Sequence, residues 1–177
     1  MKGVETVFAI GHSTKKMGDF IRLLQAHDAV VLVDIRTIPK SRYNPQFNQN
    51  SLRKQLKKKK IKYLHFKELG GLRHASKDSV NSGWRNASFR GFADYMQTRQ
   101  FSKALKQLIE LAKRNRVAIM CAEGNPFRCH RSLVADALTV RNVKVFHISS
   151  RTSAREHRLT RFAVVRRRKV TYPSSHE

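Results

Sequence analysis

The six residues Val30 to Ile35 read Val-Val-Leu-Val-Asp-Ile, and they constrain the fold more than any other stretch. A strand with one wet face alternates apolar and polar side chains. This one is apolar at both parities and admits a carboxylate only near its end. Such a strand is buried on both sides, which suits a parallel sheet with helices on either face. The rest of the chain fits. Val7 to Ile10 predicts a first strand closed by Gly11. Ile61 to Phe66, Val117 to Cys121 and Val143 to Ile148 predict a third, fourth and fifth. Helical periods run between them. Met17, Phe20, Ile21 and Leu24 mark an amphipathic helix over 16–27, and Leu52 with Leu56 marks one over about 51–60. The series Phe92, Tyr95, Met96, Leu105, Leu108, Ile109 and Ala112 marks a long helix with a break near Gln100; Leu133, Val134, Ala137 and Leu138 mark the last. This order predicts a three-layer α/β fold: a mostly parallel, Rossmann-like sheet of about five strands with helices on both faces. Residues 1–150 form a single domain in this reading, and 151–177 a basic C-terminal extension.

Charge narrows the class. The chain of 177 residues has 37 Lys plus Arg against 12 Asp plus Glu, a formal net charge of +25. Its hydrophobic content of 40% is too high for a disordered basic tail. Apolar runs such as Ala29 to Val33 fall far short of the roughly 20 residues that a membrane helix needs. Two cysteines do not make a disulfide-rich scaffold. No apolar signal region opens the chain, so a soluble, cytoplasmic protein is expected. Nucleic acid, DNA or RNA, is the natural partner for such charge, because phosphate contacts release counterions. General basicity without a dedicated ligand is the alternative. Two segments concentrate the cations: Lys57, Lys58, Lys59 and Lys60 in one, Arg166, Arg167, Arg168 and Lys169 in the other. They form one stripe only if the fold brings them together.

Ligands of open parallel sheets bind beyond the carboxyl ends of the strands. Those ends read Gly11-His12-Ser13-Thr14, Asp34-Ile35-Arg36, Glu68-Leu69-Gly70-Gly71, Cys121-Ala122-Glu123 and His147-Ile148-Ser149. The richest segment runs from Cys121 to Arg131, with Cys129 and His130 at a helix start and Arg128 and Arg131 beside them. A cysteine at a helix N-terminus among arginines has a lowered pKa. Cys129 is therefore a candidate nucleophile, with His130 or His12 as acid or base and Glu123 or Asp34 orienting it. Cys121 and Cys129 as a redox pair is a second reading, a metal site of Cys121, Cys129 and His130 with a carboxylate a third, and both as core residues the alternative to all three. Their spacing matches no common zinc pattern, and no cofactor motif is identified. Ser13 and Thr14 suit a phosphate cradle or a helix cap. Arg36, Ser41, Arg42, Arg128 and Arg131 are candidates for holding an anionic substrate. The long segment 69–90 predicts a functional loop; its Trp84 either stacks on a base or anchors the loop.

Several of these runs occur in order in a known family. Ile10-Gly-His-Ser-Thr14, Val33-Asp-Ile-Arg36 with Pro39, Ser41-Arg42, Pro45-Gln-Phe47, Tyr63 with Leu69-Gly-Gly71, Cys121-Ala-Glu123 and Cys129-His-Arg131 resemble the domain-of-unknown-function family 488. His147-Ile148 and His157 with Leu159-Thr160 resemble its later segments, so the likeness spans about residues 7–163. The resemblance implies an α/β domain and no particular reaction. It implies a site among His12, Ser13, Thr14, Asp34, Arg36, Ser41, Arg42, Cys121, Glu123, Cys129, His130 and Arg131. The lysine run and Arg166 to Lys169 lie outside it. The expectation is an enzyme-like domain acting on a phosphorylated, nucleotide or nucleic-acid substrate through a Cys/His/Arg site. A non-catalytic nucleic-acid-binding protein is the alternative.

Overall fold

The computed structural model describes residues 3–175, so His176 and Glu177 of the C-terminal extension lie outside the described residues. Strands β1 (Thr6–Gly11), β2 (Val31–Asp34), β3 (Lys62–His65), β4 (Val117–Cys121), β5 (Lys144–Ile148) and β6 (Ala154–Glu156) form one sheet in the order β3-β2-β4-β1-β5-β6. The first five are mutually parallel; β6 runs antiparallel along the β5 edge. Helices α1 (Met17–Ala26), α2 (Gln49–Lys58), α3 (Ala87–Tyr95), α4 (Arg99–Ala112) and α5 (Arg131–Thr139) cover it. A hairpin, β7 (Val164–Arg166) with β8 (Lys169–Thr171), completes the chain.

Parity along the strands sorts the two layers. Phe8, Ile10, Leu32, Ala118 and Met120 point to one side and meet Phe20, Ile21 and Leu24 of α1 and Leu52 and Leu56 of α2. Val7, Ala9, Val31, Val33, Val117, Ile119 and Cys121 point to the other and meet α3, α4 and α5. All four residues of β2 are buried, as its unbroken apolar pattern demands. The long helical series divides into α3 and α4 at Thr98, whose side chain accepts from the Phe101 N–H and caps α4. Asn86 caps α3 in the same way. The 69–90 segment contains no strand, and the ring of Trp84 packs on Phe89, Phe162 and Tyr172. Trp84 therefore anchors the loop to the C-terminal segment.

That segment is folded onto the body. Val170 and Tyr172 join the core beneath α5. The Tyr172 hydroxyl donates to Asp136 of α5, which also accepts from Thr160 and pairs with His157.

The connections fix where a ligand would sit. The α1 crossover carries the chain from β1 past β4 to β2; the α5 crossover carries it from β4 past β1 to β5. The loops after the adjacent strands β1 and β4 thus leave in opposite directions, and a crevice opens between them. They approach closely there. A Cβ at Gly11 would lie 1.9 Å from the Glu123 carbonyl oxygen, so only glycine fits.

Candidate thiol and arginine site

Cys121 ends β4 and points to the α5 side. Cys129 and His130 lie just before α5, and Arg131 is its first residue. These four converge. The Cys129 thiol donates to Cys121 Sγ at 2.9 Å, and Arg131 Nη1 donates to the same sulfur at 3.3 Å. Arg131 is 2% exposed, and its Nη2 donates to the Gly124 carbonyl. Among the described residues, no Asp or Glu pairs with this guanidinium. A buried guanidinium cannot neutralise itself by losing its proton, so it needs a counter-charge. The sulfur of Cys121 is in position to be that charge.

The proton affinities agree. Burial pushes the Cys121 thiol up, but the hydrogen bond from Cys129 and the Arg131 charge outweigh it, and the net shift is downward. When Cys121 is protonated, the Glu123 carbonyl oxygen at 3.4 Å receives its S–H. Cys129 moves the other way: its bond to Cys121, then burial, hold its proton on, although the Arg131 N–H also donates to its sulfur. Of the two, Cys121 is therefore the thiol that gives up its proton more readily, with the Cys129 S–H donating to its sulfur.

His130 stands behind them. Its Nε2 lies 2.9 Å from the Ile35 carbonyl oxygen, which can only accept, so Nε2 carries the proton. Nδ1 is left as an acceptor, 3.5 Å from Cys129 Sγ. Burial pushes His130 down to about 4, so it is neutral near pH 7. Its ring fits only because residue 71 is glycine: a Cβ there would lie 2.6 Å from Nδ1.

Cys121, Cys129 and His130 line a cavity of about 430 Å³ together with Arg36, Lys40, Glu123 and Arg128. That volume lies in the range of small-molecule sites. Thr37, Asn86, Ser88 and Phe89 also line it, so the long segment after β3 contributes to the cavity.

The other candidate residues fall into separate places. Asp34 points to the α1–α2 side. It accepts from Arg36 Nε at 2.9 Å, from Arg36 Nη2 at 2.7 Å and from the Tyr63 hydroxyl at 2.5 Å. Arg36 also donates to the Phe47 carbonyl and contacts His12, whose ring stacks on Phe47. Burial is the main cause that lowers the His12 pKa. Asp34 is thus committed to aiming Arg36 and does not line the cavity. Ser13 adopts a positive φ of 46° in the turn after β1, and Thr14 is exposed. Neither caps α1, whose N-cap is Lys16. The Ser41 hydroxyl accepts from the Asn44 N–H, and Arg42 lies over the exposed ring of Tyr43.

The two basic segments do not join. Lys57 and Lys58 end α2 on one side of the sheet, with Lys59 and Lys60 just beyond. Arg166 to Lys169 form the hairpin tip packed on α5 at the other side. Among the described residues, no group of three or more His, Cys, Asp or Glu side chains is placed to hold a metal ion. No helix among the described residues is long and apolar enough to cross a membrane.

Two cations escaped the sequence reading. Lys40 lies in the polar loop after β2, and Lys15 donates to the Gly11 carbonyl. Burial and then Arg131 lower the Lys15 pKa, and Cys121 raises it, so Lys15 shares the thiol's neighbourhood. Nothing in the local pattern separates these lysines from the many solvated ones.

Fold and site together define a doubly wound α/β domain with paired thiols at the carboxyl ends of its strands. Residues 16–138 match the sequence profile of the domain of unknown function DUF488, and the chain belongs to that family. No curated protein and no solved structure matches the chain.

Proposed function

We propose that this domain is a thiol enzyme acting on an anionic substrate, phosphorylated or nucleotide-like, bound in the 430 Å³ cavity. The observation that carries the proposal is the buried Arg131 guanidinium, which donates to the Cys121 sulfur and, among the described residues, pairs with no carboxylate. In this reading Cys121 is the nucleophile. Cys129 donates its S–H to the Cys121 sulfur and can pass that proton to it, and neutral His130 stands beside Cys129. Arg36, Arg128 and Lys40 hold the anion, with Glu123 at the rim. Asp34 and His12 hold the Arg36 guanidinium beside the cavity that Arg36 lines, and Tyr63 in turn holds Asp34.

Iodoacetamide labelling followed by peptide mass spectrometry tests this reading. Cys121 is expected to label faster than an ordinary free thiol at pH 7, and inorganic phosphate or a nucleoside monophosphate is expected to slow that labelling. Labelling no faster than free cysteine removes the nucleophile, and fast labelling indifferent to both anions removes the substrate class.

A second reading, nucleic-acid binding, is favoured by the tip of the β7–β8 hairpin. Arg167 and Arg168 both hold positive φ, 49° and 66°, in a two-residue turn where Asn-Gly is the unstrained choice. Four exposed cations in a row at a strained tip suit phosphate contact. The two readings are compatible, since the hairpin lies outside the thiol cavity.

A further inference from the structure

Cys121 and Cys129 are both free, and their sulfurs lie 2.9 Å apart, closer than two unbonded sulfurs ordinarily pack. Both line the same cavity, so a small oxidant that enters it meets both. A pair built only for packing needs no opening, and one built only for nucleophilic attack needs no second sulfur. From this geometry we infer that Cys121 is a site of hydroperoxide oxidation and that Cys129 resolves it into an intramolecular disulfide, which shuts the thiol site.

The inference rests on the nucleophilic role proposed for Cys121 above. The chemistry balances without any further reagent. Cys121 S⁻ attacks the peroxide O–O bond. The S–O bond forms, the O–O bond breaks, and hydroxide leaves. Cys121 is then a sulfenic acid, oxidised by two electrons, and the peroxide is reduced by two. The Cys129 S–H, already directed at Cys121, gives its proton to the sulfenic hydroxyl. The Cys129 sulfur attacks Cys121, the S–S bond forms, and the hydroxyl departs as water with that proton. In total one thiolate, one thiol, one hydrogen peroxide and one proton become one disulfide and two waters. Arg131 faces the sulfur that loses its charge, so oxidation leaves that guanidinium buried with no counter-charge. That cost favours the reduced pair and makes the disulfide easy to reverse with an added dithiol.

The test treats the full chain with stoichiometric hydrogen peroxide and follows intact mass, free-thiol count and iodoacetamide labelling. Expected is a loss of two hydrogens per chain, a fall from two free thiols to none, and full reversal by dithiothreitol. Cys129→Ser, checked for native melting, is expected to trap a dimedone-reactive sulfenic acid on Cys121, and Cys121→Ser to trap none on Cys129. A disulfide between chains, or sulfenic acid on Cys129 instead, overturns the assignment. Fast labelling of Cys121 with both thiols surviving peroxide sinks this inference and spares the proposed function. Slow labelling together with surviving thiols sinks both.

Discussion

A guanidinium keeps its proton at any pH a protein survives, so a buried one exposes what its surroundings must supply. Arg131 is such a group, and the ionisable side chain to which it donates a hydrogen bond is Cys121. Replacing Arg131 by Met keeps most of the volume and deletes the charge. The Arg131→Met protein is expected to alkylate Cys121 about tenfold or more slowly at pH 7, with the midpoint of the rate–pH curve moved up by about one unit, equivalent to the loss of about 1.4 kcal/mol of preference for the thiolate. An unchanged midpoint would mean that Arg131 does not set the ionisation of the sulfur. At this scale the sequence drew attention to the segment from Cys121 to Arg131. It placed the emphasis on Cys129, because His130 and the arginines adjoin it along the chain. The through-space partner of Arg131 is Cys121, ten residues earlier, joined to it by the turn of the Pro126–Arg128 segment. Adjacency in sequence carries no record of that. Nor does it disclose that Asp34 turns to the opposite side of the sheet and is consumed by Arg36 and Tyr63.

Elements were more legible than residues, for a physical reason. The double-sided burial of β2 writes itself into Val31-Leu32-Val33, and the helices leave apolar residues at three- and four-residue spacing. The edge strand β6 and the β7–β8 hairpin left no such trace. Their exposed positions hold Arg155, Glu156, Arg166 and Lys169 but also Val164 and Val165, and Val170 and the following Tyr172 are buried anchors. The turn Arg167-Arg168 runs against the preference for Asn-Gly, so turn chemistry did not announce it. That strain makes a test at the level of the hairpin. The double change Arg167→Asn with Arg168→Gly is expected to raise stability slightly, by about 1–2 kcal/mol from relieved left-handed backbone. The same change is expected to weaken DNA or RNA binding and reduce the slope of log affinity against log salt by about 2. Unaltered affinity and slope would take the hairpin out of any nucleic-acid interface.

For the molecule as a whole, buried histidines set the response to acid. Burial lowers His130 to about 4 and His147 to about 3, and lowers His12 in the same direction. Above the unfolded value of about 6.5 both states are neutral at these positions, and pH does not act through them. Between there and the folded values, the unfolded chain takes up protons that the folded chain refuses. Stability therefore falls as pH falls, by up to about 1.4 kcal/mol per unit for each fully shifted histidine. Urea unfolding is expected to show a lower midpoint at pH 5 than at pH 7.5, and equal midpoints would contradict the buried, neutral state of these rings. The net charge of +25 divides at this scale too. A few arginines and lysines serve the cavity, while the lysine run and the hairpin tip stand on opposite sides of the sheet and offer no continuous stripe. Composition registers the sum and is blind to that division.

The central claim is that Cys121 ionises more readily than an ordinary cysteine because Arg131 and Cys129 stabilise its charge. Its most direct test is a pH titration of thiolate ultraviolet absorbance in the reduced protein, repeated with Cys121→Ser. The expected result is one thiolate ionising below the ordinary cysteine value of about 8.5, absent from the Cys121→Ser protein. A titration in which neither thiol ionises below that value, or in which the low transition survives the loss of Cys121, would contradict it.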